Sequence, residues 1–195
     1  SKVAGYDDLV EKAKKLRRDT FNAFVEHGEA HLGGSFSIIE MLISLYEKVL
    51  KEDDKFILSK AHASFPLCLL LQEKGLNPKL TTHLEIDPMN GIHCTTGSLG
   101  HGLGVASGVA YGLAMDDNPA RTVVLMSDGE CNEGSVWEAA MFAAANHQER
   151  ILAIVDYNGI QAVGRSDTIM GHTSPTSLEE KFRSFGWGAS TINGN

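Results

Sequence analysis

The chain has 195 residues, of which 43% are hydrophobic, and this is enough for one domain with a sizeable core. Acidic residues outnumber basic ones by 25 to 17 and no basic stripe interrupts them, so the sequence excludes nucleic acid as an expected partner. The apolar stretch at 38–50 contains Glu40 and Glu47, and we expect neither a membrane span nor a signal peptide. The three cysteines form no CxxC pair, which favours a cytoplasmic protein.

Two helices are predicted at the start of the chain. Apolar residues recur at helical spacing over residues 7–27 and predict an amphipathic helix. Ser37 and Glu40 have the spacing of a capping box, so we expect a second helix to begin at Ser37 and to run to about Leu50.

A short strand, a helix, a loop and a glycine-rich helix are predicted next. Residues 56–58 are apolar and suit a buried strand, and residues 61–74 have a helical pattern that ends at Gly75. Prolines and glycines indicate a loop over residues 76–98. Residues 99–115 are small and apolar and include five glycines, which favours a closely packed, buried helix.

The second half of the chain alternates strand and helix, as α/β proteins do. Apolar residues predict strands at 121–126 and 151–155, with an alanine-rich helix at 135–147 between them. Such a crossover places the two strands in parallel, in a sheet flanked by helices. The predicted fold class is therefore α/β, and ligands in such sheets bind beyond the carboxyl ends of the strands.

The last predicted elements are a helix and a strand. A capping box at Ser177 and Glu180 predicts a helix that begins at Ser177 and ends near Ser184, and residues 188–192 form a strand candidate. Since no linker or repeat divides the sequence, we expect residues 1–195 to form a single domain.

Two polar side chains follow the two main predicted strands. Asp128 comes just after the first and Asn158 just after the second. If these strands are neighbours, about 4.8 Å apart, both side chains can reach one ion. Carboxylate and amide oxygens suit a hard cation such as Mg²⁺. Taken alone, Asp128-Gly129 and Asn158-Gly159 each have the composition of an ordinary turn. Their equivalent positions after the two strands favour a metal site.

The residues around these positions resemble a known cofactor motif. The segment SDGECNEG at 127–134 is followed by WEA at 137–139 and DYNGI at 156–160. This is similar to the thiamine diphosphate motif of the transketolase family, in which GDG precedes an asparagine by about thirty residues, and Asp128 and Asn158 are 30 residues apart. The resemblance implies the thiamine diphosphate-binding fold, specifically the diphosphate-binding, N-terminal half of a transketolase or a split N-terminal subunit.

The resemblance also implies a metal site and a cofactor site. Asp128, the Asn158 side chain and the Ile160 carbonyl would bind Mg²⁺, with Ca²⁺ or Mn²⁺ as alternatives. Ser127 replaces the first glycine of the motif, and its small size should be tolerated. The segments LSKAHA at 58–63 and TTGSLGHG at 95–102 resemble further family segments. The cofactor-binding positions that follow are His62, Gly97, Ser98, Leu99, Gly129, Glu130, Glu133 and Asn158, with Glu133 also matching a glutamate at the family's dimer interface.

Histidines supply the candidate catalytic groups. His31 lies in AHLGG at 30–34, which resembles the family's GHPGG, and His83 lies in THLE, where the family has GHPE. His101 replaces a glutamine of the family. The resemblance therefore implies four catalytic candidates, His31, His62, His83 and His101, around an anionic ligand.

The activity that the resemblance implies is transfer of a two-carbon ketol unit between sugars or sugar phosphates. In the family, a glutamate on a second, pyrimidine-binding domain activates the cofactor, and no residue here matches it. We therefore expect that the chain works only with a pyrimidine-binding partner subunit. Because family members continue beyond residues 192–195, we also expect that the chain lacks the C-terminal end of its domain. An apolar face left exposed without the second domain would favour homo-oligomers.

Two other interpretations stay open. A deoxyxylulose-phosphate-synthase-like or 2-oxo acid dehydrogenase-type thiamine enzyme would share the motif, and a non-catalytic cofactor-binding subunit would retain it without turnover. The presence of Asp128, Asn158, His31 and His62 favours an enzyme.

Overall fold

A computed structural model describes most of the chain, and its contacts group the residues into two compact units. Unit 1 comprises Ser1–Asp54 and Lys60–Gly97, and unit 2 comprises Lys55–Ser59 and Ser98–Asn195. The prediction of a single domain lacking its C-terminal end stays a prediction. The described residues are 5–28, 32–158, 160–161, 164–165 and 175–194.

Unit 1 is helical. Its longest helix, α1, packs against α3 and α4, and buried side chains such as Leu16, Leu42 and Leu67 form the core between them. The predicted helices at 7–27 and 61–74 are confirmed. The elements are α1 (Tyr6–His27), α2 (Leu32–Phe36), α3 (Ile39–Ser44), a π-helical turn (Leu45–Val49), α4 (Ser64–Glu73), and 3-10 turns at Ala61–Ala63 and Pro88–Asn90.

The capping box predicted at Ser37 is wrong. The Ser37 hydroxyl donates to the Gly34 carbonyl at 3.0 Å, so this side chain closes the end of α2 instead of opening α3. The cap of α3 is Ile38, whose apolar side chain has no capping group. Glu40 accepts a hydrogen bond from Arg17 of α1 at 2.7 Å. Ser37 is thus used in a local contact with α2, and Glu40 in a tertiary contact with α1.

A π-helical turn continues α3 and positions Glu47 between two lysines. The Leu50 amide donates to the Leu45 carbonyl at 2.8 Å, the wide spacing of a π-helix. Glu47, in this turn, accepts from Lys12 of α1 at 2.6 Å and from Lys74 after α4 at 2.7 Å. These two ammonium groups lower the pKa of Glu47 to about 2.

Unit 2 is built on a three-stranded parallel sheet in the order β1-β2-β3. The predicted strands at 56–58, 121–126 and 151–155 and the helix at 135–147 are confirmed, as is the parallel crossover. An additional short antiparallel pair, β4 with β5, follows the sheet. The elements are β1 (Lys55–Leu58), α5 (His101–Met115), β2 (Thr122–Ser127), a 3-10 turn (Gly129–Asn132), α6 (Gly134–Ala145), β3 (Ile151–Asp156), β4 (Ile160–Gln161), β5 (Gly164–Arg165) and α7 (Pro175–Ser184).

Two predictions near the end of unit 2 are wrong. The last helix begins at Pro175, so Ser177 lies inside α7 and does not cap it. Proline suits the first helical position because the amide that it lacks would have no partner within the helix. Residues 188–192, all of them described, have no regular structure, so the strand expected there does not form.

Helix α5 is only partly buried, contrary to the prediction for residues 99–115. Gly102 is buried, but outside the backbone of α5 itself no described atom lies within 4 Å of the Cβ that alanine would add at Gly104, Gly108 or Gly112. The same helix, with part of α6, leaves apolar side chains exposed. Phe142 is 47% exposed, and its ring centroid lies 6.1 Å from that of Tyr111. The exposed large apolar side chains of the two helices are Val105, Tyr111, Met115, Met141 and Phe142.

All three cysteines are buried thiols. Burial raises the pKa of the Cys68 thiol to about 11 and also raises that of Cys94, both in unit 1. In the ranges that the structure describes, no helix combines the length and the hydropathy that crossing a membrane requires.

Candidate functional site

The carboxyl ends of β2 and β3 lie side by side. The two strands pair in parallel along their whole length, with Ser127 opposite Asp156. One residue further, the Asp128 amide donates to the Asp156 carbonyl at 3.2 Å. The adjacency on which the predicted convergence of Asp128 and Asn158 depends is therefore confirmed.

The two predicted metal ligands after these strands differ in burial. Asp128 is fully buried at the start of the 3-10 turn, whereas Asn158, two residues past β3, is exposed. Ile160, the third predicted ligand, begins β4, where it pairs with Arg165. The three predicted ligands are thus a buried carboxylate after β2, an exposed amide side chain after β3 and a backbone carbonyl in β4.

The loop before α5 is held against the start of α6. Gly100 has a φ of +79°, and a Cβ there would lie 2.6 Å from Ser135 Oγ and 2.7 Å from Glu133 Cβ. The Ser135 hydroxyl donates to the Gly100 carbonyl at 3.2 Å. Both the positive φ and the short distances to Ser135 and Glu133 disfavour a side chain at position 100. Glycine therefore permits this close approach.

This contact places predicted cofactor-binding residues together in unit 2. Ser98 and Leu99 precede Gly100, and Glu133 lies against it at the start of α6. Leu99 is 46% exposed although it is apolar. An exposed leucine in a polar loop offers an apolar surface to a ligand.

Glu130 is fully buried two residues after Asp128 and accepts several hydrogen bonds. Oε1 accepts from the Ser59 hydroxyl and from the Gly100 amide, the latter at 3.0 Å. Oε2 accepts from the Ser127 amide at 2.9 Å. Sequence reasoning missed Ser59 and Gly100 as partners, because no local pattern links residues that are 71 and 30 positions from Glu130.

Cys131 is a buried residue of the 3-10 turn that follows Asp128. Burial, together with the negative charges of Glu130 and Asp128, raises the pKa of its thiol to about 12. Its carbonyl accepts from the Trp137 indole at 2.9 Å, and Trp137 packs against Phe182 and Phe185 in and after α7. A buried thiol with a raised pKa is poorly suited to nucleophilic chemistry.

Two of the four predicted histidines come together in unit 1. The rings of His62 and His83 lie edge to face with centroids 6.2 Å apart. Gly97 is adjacent, since a Cβ there would lie 3.1 Å from His83 Cδ2. His101 is the exposed first residue of α5 in unit 2, and His31 lies outside the described residues.

Comparison with known proteins identifies the family. The family model for the transketolase thiamine diphosphate binding domain matches residues 8–195. The chain belongs to the transketolase family. The predicted family and the predicted α/β class are confirmed, and thiamine diphosphate is the cofactor of the matched domain.

Several relatives of this transketolase-family chain are named as subunits. The chain is 35% identical to the 6-deoxy-6-sulfo-D-fructose transketolase subunit of Clostridium sp. (strain MSTE9), over 96% of its own length and 75% of the relative's. It is 31% identical to an apulose-4-phosphate transketolase subunit of Phocaeicola vulgatus, over 94% and 72% of the two chains. Human transketolase is 32% identical over 96% of this chain but only 33% of its own length.

Solved transketolases have the same fold. The chain superimposes on the enzyme from Leishmania mexicana with a TM-score of 0.82 at 24% identity, covering 91% of this chain. The enzyme from Campylobacter jejuni gives a TM-score of 0.78 at 22% identity. The chain spans about a third of the length of these solved transketolases, 31% and 32% respectively.

Proposed function

We propose that this chain is a subunit of a thiamine diphosphate- and Mg²⁺-dependent transketolase, which transfers a two-carbon ketol unit between sugars or sugar phosphates. The observation that carries the proposal is the placement of Asp128 and Asn158 after two adjacent, parallel strands. Ligand sites of α/β sheets lie at this edge.

The donor groups at this edge fit Mg²⁺. Asp128 contributes a carboxylate, Asn158 an amide oxygen and Ile160 a backbone carbonyl, and hard cations prefer such oxygens. The chain has a formal net charge of −8, and Asp128 and Glu130 are both buried here. An anionic diphosphate at this edge therefore needs a cation to offset the negative charge.

Other residues of unit 2 would contact the organic part of the cofactor. Ser98, in the loop before α5, and Gly129, in the turn after β2, would offer polar groups to the cofactor. The exposed Leu99 side chain would make an apolar contact with it. Asn158 serves both cofactor and metal. Glu133, at the start of α6, is proposed as an interface residue from its match to the family's interface glutamate.

Histidines would bind the anionic substrate or the diphosphate. The His62 and His83 pair beside Gly97 supports a shared role for these residues, and His31 and His101 are proposed from their motif positions. When bound, thiamine diphosphate supplies the carbanion and electron sink for breaking and forming carbon–carbon bonds. The chain's own groups hold the cofactor and orient the substrate.

A pyrimidine-binding partner subunit completes the proposed enzyme, and a homo-oligomer of the resulting pair is expected. This is supported by relatives that are named transketolase subunits, of which the chain covers 75% and 72%. Their names specify a sulfonated sugar and a sugar phosphate as substrates of those proteins. We propose an anionic sugar as the substrate class here.

Replacing the carboxylate of Asp128 tests the metal site. Asp128→Asn retains the side-chain volume but removes the charge, so Mg²⁺-dependent affinity for thiamine diphosphate should fall by at least about 100-fold, since even outer-shell partners of metals often cost 10–100-fold. Isothermal titration with and without Mg²⁺ measures the change. Asp53→Asn, at an exposed residue of unit 1, is the control and should bind as wild type does. Wild-type affinity in Asp128→Asn would refute the assignment.

A further inference from the structure

The buried carboxylate of Glu130 needs its partners. An ionised carboxylate removed from water costs several kcal/mol unless hydrogen bonds offset the loss. Glu130 has no exposed surface, and both of its oxygens accept hydrogen bonds from protein groups. The Glu130 carboxylate therefore binds protein groups and has no surface exposed to a ligand.

Oε1 of Glu130 connects β1 with the start of α5. It accepts from the Ser59 hydroxyl, directly after β1, and from the Gly100 amide at 3.0 Å. Ser59 Oγ in turn accepts from the Gly102 amide at 3.0 Å. Two amides at the start of α5 are thus fixed, one directly and one through Ser59.

Oε2 of Glu130 connects to the end of β2. It accepts from the Ser127 amide at 2.9 Å, and Ser127 Oγ lies 3.4 Å away. The Glu130 amide donates to the same hydroxyl at 3.3 Å. Asp128 and Gly129 lie between these two mutually bonded residues, so their backbone is held at both sides.

We propose that Glu130 is a positioning residue that fixes the Ser98–Gly100 loop relative to the Asp128–Gly129 turn. This inference rests on the proposed function, in which the first segment contacts the cofactor and the second holds its metal. By resemblance to the family Glu130 is expected to contact the cofactor, whereas the proposed role is indirect. Ser127, which departs from the family's glycine, adds a hydroxyl to the network.

The chemistry of the network requires a carboxylate at position 130. All groups that face its two oxygens can donate, and two of them are backbone amides that can only donate. Glutamine has the same shape but one acceptor oxygen and an NH₂ group. In Glu130→Gln, that NH₂ must face either the Gly100 amide or the Ser127 amide, and one loop loses its anchor.

The test compares cofactor binding by Glu130→Gln, Ser59→Ala and the control Glu149→Gln with that of the wild type. Glu149 is exposed at the opposite end of the sheet, before β3. Titrations with thiamine diphosphate and saturating Mg²⁺ are made well below the unfolding temperature of every variant, with folding checked by circular dichroism. We expect Glu130→Gln to bind about 10–100-fold more weakly, by analogy with outer-shell partners of metal ligands, Ser59→Ala to be intermediate and Glu149→Gln to be unchanged.

Phosphorus NMR of the bound diphosphate separates positioning from general stability. At saturating cofactor, the resonances in Glu130→Gln should be displaced from the wild-type positions, whereas a merely structural loss would leave the folded protein's spectrum unchanged. Wild-type affinity and spectrum in folded Glu130→Gln would overturn the inference. If Glu130→Gln does not fold, wild-type binding by Ser59→Ala has the same consequence. Failure of the wild type itself to bind would instead overturn the proposed function.

Discussion

Gly102 and Gly104 lie on the same helix but in opposite surroundings. A Cβ at Gly102 would lie 2.9 Å from Ser59 Cα and closer still to its Cβ, whereas at Gly104 no described atom outside the backbone of α5 is within 4 Å. We expect Gly102→Ala to lower the free energy of unfolding by about 1–3 kcal/mol through overpacking. Gly104→Ala should raise it by about 0.5–1 kcal/mol, since alanine favours the helix. Urea denaturation measures both; equal stability of the two variants would contradict this account.

At the residue scale, the sequence predicts a contact where the position of a residue along the chain determines its position in the fold. The adjacency of the strands that Asp128 and Asn158 follow could be predicted, because each residue comes within two positions of an apolar strand and parallel neighbours end at the same edge. The partners of Glu130 could not be predicted, because the bond to Ser59 joins residues 71 positions apart. A turn glutamate usually lies in solvent, and only the tertiary fold shows that this one is buried.

The π-helical turn gives a pH-dependent contribution at the scale of elements. Glu47 has a pKa of about 2, below its ordinary 4.5, so its bonds to Lys12 and Lys74 stabilise the fold fully above about pH 4.5 and are lost as pH falls through about 2. Glu47→Gln should lower the free energy of unfolding by about 0.5–1 kcal/mol near neutral pH, a typical value for partly exposed pairs.

Urea denaturation of wild type and Glu47→Gln at several pH values checks this expectation. The difference between them should shrink as the pH falls from about 4.5 toward 2, because the wild-type carboxylate becomes neutral. The exposed Glu52→Gln serves as the control and should match wild type at neutral pH. A difference that persists unchanged at low pH would mean that packing, not charge, is responsible.

Elements were predicted well where periodicity is long and poorly where the signal is a short cap. Helix α1 and strands β2 and β3 agree with the sequence pattern within a residue or two. Both capping boxes are wrong, because Ser37 bonds to Gly34 and Ser177 lies inside α7. A four-residue polar pattern competes with every other partner, local or tertiary, that its polar groups can find, whereas a long stripe of apolar residues must be buried on one face.

For the whole molecule, the proposed function predicts that activity requires a second polypeptide. The rigorously purified chain, with thiamine diphosphate and Mg²⁺ in excess, should give no ketol transfer from a panel of sugar phosphate donors and acceptors. Adding a pyrimidine-binding partner should restore turnover, because that domain supplies the carboxylate that activates the cofactor. Turnover by this chain alone at about 10 per second, a typical enzyme rate, would contradict the prediction.

The labelling rates of the buried cysteines report separately on how often each unit opens. Only a thiolate reacts quickly with an alkylating reagent, and each of these thiols is buried with a raised pKa. Labelling must therefore wait for local or global unfolding. Because Cys68 and Cys94 report on unit 1 and Cys131 on unit 2, their relative labelling rates show which unit opens more often, with no probe added to the chain.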